Sequence, residues 1–315
     1  MIYDVIIIGG GPAGLTAAIY TSRARLNTLL IEKAGCGGQI AITDWLENYP
    51  GFNGGINGFD LAIKLEQQAK DFGTVIIYEE VGGIEDGNIK KVITTNAVYQ
   101  AKTIIIAAGT KVKQMGIAGE ESFIGRGISS CATCDAPFYR GKNVVVVGGG
   151  DSAVQEAIYL AKFAQKVTLI HRRDQLRAAK ILQERMLSHA NISVMYDTIL
   201  LEVSGTEKLE KIKVSNVKTG FVQDMQIDGV FVFIGLLPNS QPFSMLKLDE
   251  TGYIITDENM KTSVFGMFAC GDIRKKQLRQ VVTAASDGAQ AAISAQLYIE
   301  EQEISHSCKK SPVNP

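Results

Sequence analysis

The chain contains the same pattern twice: an unbroken apolar run, then a cluster of glycines, then a helical stretch. The first copy has an apolar run at residues 5–8, the turn Gly9-Gly10-Gly11-Pro12-Ala13-Gly14 and an alanine-rich helix to about residue 25. The second has residues 144–147, the turn Gly148-Gly149-Gly150-Asp151-Ser152-Ala153 and a helix to about residue 165. Apolar runs of this kind are typical of strands buried in a parallel sheet. The repeat predicts an α/β fold with two related units.

The remaining pattern alternates strands with helices. It predicts strands at 28–31, 74–78, 103–107, 166–170 and from 265, a hairpin at 89–99, short β segments over 192–233, and helices at 58–72 and from 279–280. The polar tail, residues 302–315, is predicted to be disordered, with an unpaired Cys308.

The first glycine turn predicts a site for a dinucleotide. Gly9 permits a tight turn, Gly11 lets a pyrophosphate approach the backbone amides, and Gly14 allows close packing of the helix on the strand. The next strand ends at Glu32. An acid at this position hydrogen-bonds a ribose hydroxyl and repels a 2′-phosphate, so this unit suits FAD or NAD.

The second turn repeats the motif with Gly148, Gly150 and Ala153, but its next strand ends in His171-Arg172-Arg173, with Arg177 one helical turn on. Guanidinium groups bind a 2′-phosphate bidentately, so this unit is predicted to hold NADPH. The alternative reading is a solvated basic run, and His171 alone is equally an ordinary surface histidine.

The composition is that of a globular α/β protein, with 315 residues, 46% of them hydrophobic, and 32 glycines. The formal net charge of −1 gives no overall attraction to nucleic acid or an anionic membrane. The first apolar run is too short for a signal peptide, and the apolar late helix is interrupted by Asp287, Gln290 and Gln296, so we expect no membrane span. We therefore expect a cytoplasmic protein.

Two of the five cysteines lie close together in the motif Cys131-Ala132-Thr133-Cys134-Asp135. On a helical turn this spacing places both sulfurs on one face, and the carboxyl of Asp135 can supply or take the proton that thiol chemistry moves. Ser129 or Ser130 can cap the helix, and a helix N-terminus stabilises a thiolate. A redox-active dithiol is the favoured interpretation.

Two other interpretations of the cysteine pair stay open. A structural disulfide is more typical of secreted proteins. A zinc site needs four ligands, whereas the other candidates are scattered single residues, and we expect no metal. Those residues are Cys36, Cys270, Cys308, His171, His189 and His306.

Two nucleotide units with a redox pair between them resemble the low-molecular-weight thioredoxin reductases, which are NADPH-dependent flavoproteins. The resemblance covers nearly the whole chain. It implies two Rossmann-like dinucleotide-binding domains, the second inserted in the first: an FAD domain formed by 1–113 and 242–315, and an NADPH domain formed by 114–241. It also implies thioredoxin as the protein substrate and a homodimer.

The resemblance further implies a role for particular residues. Cys134 would face the flavin, Cys131 would attack the disulfide of thioredoxin, and Asp135 would donate a proton. FAD would be bound by Gly9, Gly11, Pro12, Gly14, Glu32, Gly38, Gln39, Asn48, Gly109, Gly271, Asp272, Arg279 and Gln280. NADPH would be bound by Gly148, Gly150, Ser152, Ala153, His171, Arg172, Arg173 and Arg177.

The implied reaction is a relay of electrons from NADPH through FAD and the cysteine pair to thioredoxin. The resemblance also implies rotation of the second domain about hinges near 113–116 and 235–241. Related enzymes that use oxygen or ferredoxin lack the arginine site. A redox sensor that binds FAD without turning over remains the alternative from a different class.

Overall fold

The computed structural model describes residues 1–43, 46–130 and 132–310, without the side chains of residues 133, 134 and 305–310. The chain divides into two compact units. The first combines Met1–Lys111 with Leu237–Pro315, and the second is Val112–Leu236. The second unit is therefore an insertion in the first.

The strands are β1 (Ile2–Ile8), β2 (Thr28–Glu32), β3 (Val75–Tyr78), β4 (Val81–Glu85), β5 (Lys90–Thr94), β6 (Val98–Ile106), β7 (Thr110–Val112), β8 (Ile128–Ser129), β9 (Asn143–Gly148), β10 (Lys166–Ile170), β11 (Ile192–Met195), β12 (Thr198–Gly205), β13 (Leu209–Asn216), β14 (Val222–Gln226), β15 (Gly229–Phe233), β16 (Leu236–Pro238) and β17 (Met267–Ala269). The α-helices are α1 (Pro12–Arg23), α2 (Gly58–Asp71), α3 (Glu120–Phe123), α4 (Ala132–Asp135), α5 (Asp151–Ala161), α6 (Lys180–Leu187) and α7 (Val281–Lys310).

The sheet of the first unit has the order β3-β2-β1-β6-β5-β4, and β17 pairs with β6. The strands β3, β2, β1, β6 and β17 are parallel, while β5 and β4 extend the sheet in antiparallel fashion. The hairpin predicted at 89–99 is present as β5 and the start of β6. The separate strand predicted at 103–107 is instead the continuation of the second hairpin strand, β6. Its start pairs with β5 and its buried end with β17, so the two halves differ in burial pattern.

Helix α7 packs closely on α1. A Cβ at Gly288 of α7 would lie 2.1 Å from the carbonyl oxygen of Ala13, so only glycine allows this approach. The prediction of a disordered tail from residue 302 is wrong as far as Lys310, because the helix continues to that residue. Glu303 there pairs with Lys102 of β6 at 2.9 Å. Among the described helices, none is long and apolar enough to cross a membrane.

The second unit is built on a parallel sheet of order β11-β10-β9-β15-β8. One face of this sheet packs on α5, with Val154, Ala157 and Leu160 in the core. The other face packs on the antiparallel sheet β12-β13-β14, through residues such as Val203 and Ile212. Since both faces of β9 and β10 are covered, their apolar runs are continuous.

The two segments that connect the units pair with each other. Strands β7 and β16 form a two-stranded sheet. At its end the backbone amide of Lys113 donates to the carbonyl of Gly235 at 3.0 Å. The chain therefore enters and leaves the second unit at neighbouring positions.

Candidate functional site

The first glycine turn joins β1 to α1 and lies against several other predicted cofactor residues. Gly9 has φ of +106°, and a Cβ there would meet the carbonyl oxygen of Ala107 at 2.4 Å. A Cβ at Gly14 would lie 1.8 Å from the carbonyl oxygen of Gly9. At Gly11, by contrast, a Cβ would meet nothing within 4 Å. Backbone atoms therefore pack closely against the turn at Gly9 and Gly14, whereas the space next to Gly11 is open.

The N-terminus of α1 fits an anion. The helix begins at Pro12, its N-cap Gly11 provides no side-chain hydrogen bond, and its first turn contains no acid. Proline at this position costs nothing, since its missing N–H has no partner within the helix anyway. The remaining free amides of the first turn point out of the helix, as in sites that bind phosphate.

Glu32 closes one side of this turn. Its Oε2 accepts from the amide of Gly10 at 2.6 Å, and its Oε1 accepts from the amides of Lys33 at 2.8 Å and Ala34 at 3.2 Å. These bonds fix the carboxylate beside the turn. It is held where an acid can accept from a ribose hydroxyl.

The other predicted FAD residues come together in the first unit. A Cβ on Gly38 would lie 3.4 Å from Gly11, and one on Gly271 would lie 2.8 Å from Ala13. Side-chain hydrogen bonds complete the arrangement. They join Gln39 Nε2 to Thr110 O at 3.2 Å, Asn48 Nδ2 to Gln280 Oε1 at 2.9 Å, and Asn239 Nδ2 to Ala108 O, next to Gly109, at 2.8 Å.

Asp272 has an unsatisfied oxygen at this site. Its Oδ1 is buried and has no hydrogen-bond partner among the described residues. Burial raises the pKa of this carboxyl above its ordinary value. Arg279 Nε approaches the carbonyl oxygen of Asp272 at 3.4 Å, and its guanidinium lies 4.0 Å from the centre of the Tyr253 ring. A buried acceptor without a partner is costly, and a hydroxyl-bearing ligand would satisfy it.

The second glycine turn, between β9 and α5, is built like the first. A Cβ at Gly148 would lie 2.4 Å from Phe233 O and 2.6 Å from Ala153 Cβ, whereas Gly150 has open space within 4 Å. Helix α5 begins at Asp151, next to Ser152, and its N-cap Gly150 makes no side-chain hydrogen bond. The second unit therefore also presents uncapped amides at a helix N-terminus.

His171 occupies the place in the second unit that Glu32 occupies in the first. Glu32 is the last residue of β2 and His171 directly follows β10, and these strands pair in the same register with β1 and β9. His171 is buried, and its Nδ1 lies 2.9 Å from the carbonyl oxygen of Gly148. Burial lowers the pKa of the imidazole. A carbonyl only accepts, so the neutral ring carries its proton on Nδ1.

The three predicted arginines lie beyond His171. Arg172, Arg173 and Arg177 are exposed. Within the described part of the chain, none of their guanidinium groups pairs with a carboxylate. Unpaired arginines near a helix N-terminus form a site suited to a phosphate monoester.

Part of the segment 131–135, which we call the redox segment, lies outside the described residues. Cys131 is not among the described residues, and Cys134 is described only as a backbone position of helix α4. The flanking residues Ala132 and Ala136 are buried in the core that also contains α5. This part of the segment therefore belongs to the second unit. Ser129, a predicted cap, lies in strand β8 instead.

Among the described residues, no group of three His, Cys, Asp or Glu side chains is arranged to hold a metal ion. Cys36 and Cys270 are free thiols, Cys270 fully buried and Cys36 partly so.

Comparison with known proteins identifies the family. Residues 3–288 match the family described as pyridine nucleotide-disulphide oxidoreductase. The thioredoxin reductase of Bacillus subtilis is 48% identical over 303 residues, covering 95% of this chain and 96% of that protein. The thioredoxin reductase of Treponema pallidum is 48% identical over 299 residues, covering 95% and 97%. The crystal structure of Lactococcus lactis thioredoxin reductase in its FR conformation has a TM-score of 0.93 at 45% identity, covering 95% of this chain and 99% of that one.

The chain belongs to the pyridine nucleotide-disulphide oxidoreductases, and among them to the thioredoxin reductases. It is an oxidoreductase that uses FAD and NADPH. The arginine pattern predicted NADPH, and the family resemblance implied FAD. The predicted fold class, with Rossmann-like units built on parallel sheets, is also confirmed. The residues that hold each cofactor remain predictions. The unsatisfied Asp272 oxygen and the open space above Gly11 and Gly150 fit bound dinucleotides.

Sequence reasoning missed a buried charge cluster behind the first turn. Asp287 of α7 pairs with Arg274 at 3.2 Å and with Lys276 at 2.8 Å, and all three side chains are at most 14% exposed. Its Oδ2 also accepts from the amide of Gly271 at 3.1 Å. The cluster therefore supports the backbone next to Asp272. The sequence offered only one weak signal, because Asp287 is the single charged residue in the stretch 281–299.

Proposed function

We propose that the chain is an NADPH-dependent thioredoxin-disulfide reductase that acts through FAD and the pair Cys131 and Cys134. The observation that carries the proposal is the second unit. This unit contains Arg172, Arg173 and Arg177, which pair with no carboxylate among the described residues, and it also contains the segment with two cysteines. The two relatives named above are thioredoxin reductases, and their similarity covers 95% of this chain. This similarity supports thioredoxin as the substrate.

The chemistry at the cysteines is thiol–disulfide exchange. The Cys131 thiolate attacks one sulfur of the thioredoxin disulfide, so a mixed disulfide forms and the other thioredoxin sulfur leaves as a thiolate. The Cys134 thiolate then attacks the Cys131 sulfur. This step releases the second thioredoxin thiolate and restores the Cys131–Cys134 disulfide. The two released thiolates take up protons, and Asp135, beside the pair in the sequence, is the proposed donor.

When bound, FAD supplies the chemistry that links a hydride donor to a disulfide, since it accepts two electrons at once and passes them on. The first glycine turn, Glu32 and Asp272 are proposed to hold it, together with the residues gathered around them. The second turn and the arginines are proposed to hold NADPH. Arg172, Arg173 and Arg177 bind its 2′-phosphate, and the α5 N-terminus binds its pyrophosphate.

An anaerobic titration tests the proposal. The purified yellow protein should lose its flavin colour on addition of NADPH and recover it on addition of oxidised thioredoxin, over repeated cycles. The Cys131→Ser variant should still be bleached by NADPH but should not recover with thioredoxin. A protein that is reduced once and does not pass electrons to thioredoxin would be a redox sensor instead, and the proposal would be wrong.

We also propose that the enzyme is a homodimer, which the family resemblance implies, and that it is cytoplasmic, as its sequence features predict. Light scattering after size-exclusion chromatography tests the oligomeric state, since a dimer has twice the mass of the chain. Fractionation of the source cells tests the location.

A further inference from the structure

The stretch 171–179, which we call the arginine segment, is tied to the second glycine turn at both of its ends. At its start, His171 Nδ1 donates to the carbonyl of Gly148 at 2.9 Å. At its end, the amides of Arg177 and Ala178 donate to the carbonyl of Gly149 at 2.7 and 3.1 Å. The amide of Ala179 donates to Oδ1 of Asp151 at 2.7 Å. Arg172 and Arg173 lie between these hydrogen-bonded ends, and Arg177 is itself held by its backbone amide.

Asp151 contributes a side-chain tie across 28 residues. It is the first residue of α5, and Ala179 is the N-cap of α6. Its carboxylate thus lies near two helix N-termini, where a negative charge is favourable. The same charge repels an incoming phosphate. The charge of Asp151 therefore opposes the binding of a polyanion. Any favourable contribution of Asp151 to NADPH binding must come from its hydrogen bond to the arginine segment.

The first unit provides an internal comparison. The residue equivalent to Asp151, after the last glycine before α1, is Pro12, and the first turn of α1 contains no acid. That unit has Glu32, not a set of arginines, at the end of its second strand. The acid at the start of the helix therefore occurs in the unit with the arginine segment and not in the other.

We propose that Asp151 is a positioning residue for recognition of the 2′-phosphate of NADPH. By holding the amide of Ala179 it fixes the end of the arginine segment, and with it the backbone of Arg177, two residues earlier. The buried side chains of Leu176 and Ala178 pack into the core of the second unit and hold the same stretch in place, while the arginine side chains are exposed. Bidentate recognition depends on geometry, so a displaced backbone weakens it without removing any charge from the guanidinium. This inference rests on the proposed NADPH site.

The test compares two variants that both remove the charge of Asp151. Asp151→Asn keeps an oxygen that accepts from Ala179, whereas Asp151→Ala removes it. Two measurements are made on the FAD-loaded protein: the apparent affinity for NADPH and for NADH in flavin reduction, and competitive inhibition by 2′,5′-ADP and by 5′-AMP. The second pair of probes differs only in the 2′-phosphate, so their ratio reports its recognition directly.

Asp151→Ala should weaken binding of NADPH and 2′,5′-ADP by roughly 5- to 20-fold, less than the direct loss of a charged hydrogen bond to the phosphate, because Asp151 acts only through the position of Arg177. Binding of NADH and 5′-AMP should change by less than about twofold, the size of a minor surface effect. Asp151→Asn should stay close to the parent protein in all four measurements. In an Arg177→Ala background, Asp151→Ala should add little, because its effect passes through that arginine.

Equal losses for the probes with and without the 2′-phosphate would overturn the inference, as would losses that add fully to those of Arg177→Ala, or an Asp151→Asn variant as weak as Asp151→Ala. The NADPH site itself is tested separately. If replacing Arg172 and Arg173 leaves the preference for NADPH unchanged, the proposed site is wrong. If those replacements remove the preference but Asp151→Ala does not, only the role of Asp151 is wrong.

Discussion

The two glycine turns are closed by side chains with opposite hydrogen-bonding roles. In the first unit Glu32 accepts from the amide of Gly10, and in the second His171 donates to the carbonyl of Gly148. Because burial lowers the pKa of His171, its ring stays neutral and adds no charge to the site at neutral pH. The positive charge of the second site therefore comes from the arginines. The first site instead carries a carboxylate that repels a 2′-phosphate.

The preference for NADPH should depend on Arg172 and Arg173. At roughly 1.5–3 kcal/mol for each charged hydrogen bond, replacing either by alanine should weaken NADPH binding by about 10- to 100-fold and leave NADH binding nearly unchanged. Steady-state kinetics with NADPH and with NADH measure the preference as the ratio of kcat/KM for the two nucleotides. Arg185, an exposed arginine in the last turn of α6, provides the matched control. Equal losses for NADPH and NADH would show that the two arginines do not read the phosphate.

Cys36 should be a slow thiol in the folded protein. Burial, together with the nearby carboxylates Glu66 and Glu32, raises its pKa to about 12. Only the thiolate is alkylated, so Cys36 should react with iodoacetamide at least roughly tenfold more slowly than the same cysteine in the urea-unfolded chain. Between pH 7 and about 10 its rate should rise with pH without reaching a plateau, since its pKa lies above that range.

Peptide-level mass spectrometry separates Cys36 from the other cysteines. A plateau in its alkylation rate near pH 9 would contradict the raised pKa.

Helix α7 contains a buried acid and an exposed one, which makes the contribution of burial measurable. Asp287 pairs with Arg274 and Lys276 in the interior, while Glu303 pairs with Lys102 at the surface. Asp287→Asn leaves two cations buried without a counter-charge. It should lower the free energy of unfolding by about 3–5 kcal/mol, as for other broken buried pairs.

Because Asp287 also holds the amide of Gly271, this variant should bind FAD more weakly as well. Glu303→Gln is the control, and should cost less than about 1 kcal/mol, since its pair is exposed. Urea unfolding of the FAD-free proteins measures the first effect, and flavin fluorescence on titration measures the second. If Asp287→Asn is as stable as Glu303→Gln, the predicted cost of leaving Arg274 and Lys276 without a counter-charge is wrong.

The sequence predicted best those elements whose residue types are required by contacts with nearby backbone atoms. Gly9 and Gly14 in the first turn, and Gly148 in the second, are required by backbone atoms that approach within hard-contact distance, so their spacing is visible in the sequence. The length of α7 was missed, because a polar helix end such as 302–310 has no apolar periodicity. The burial of Asp287 was missed as well. Its cation partners are set by the packing of α7, and sequence periodicity carries no information about that choice.

At the scale of the whole molecule, the predicted cofactor residues are divided between the units. The FAD positions lie in the first unit, and the NADPH positions lie in the second with the described part of the redox segment. The resemblance implies that the second unit rotates about its two connections, so that NADPH and the redox pair reach the flavin in turn. A covalent link between the units should therefore leave at most one half of the cycle working.

This prediction can be checked with a light-cleavable crosslink, verified by mass spectrometry. Flavin bleaching by NADPH and recovery with thioredoxin are measured separately before and after cleavage. Turnover should be lost in the linked enzyme and return on illumination. Unchanged turnover in the fully linked enzyme would mean that one fixed arrangement serves both steps.

The pairing of β7 with β16 has a consequence for how such a chain can arise and be taken apart. Because the amide of Lys113 meets the carbonyl of Gly235, the two ends of the inserted unit are neighbours. All strands of the first unit's large sheet lie outside the insert. The DNA that encodes the second unit can therefore be inserted or deleted without interrupting the large sheet of the first unit. After such a deletion, we expect a short turn to be enough to join the two remaining ends.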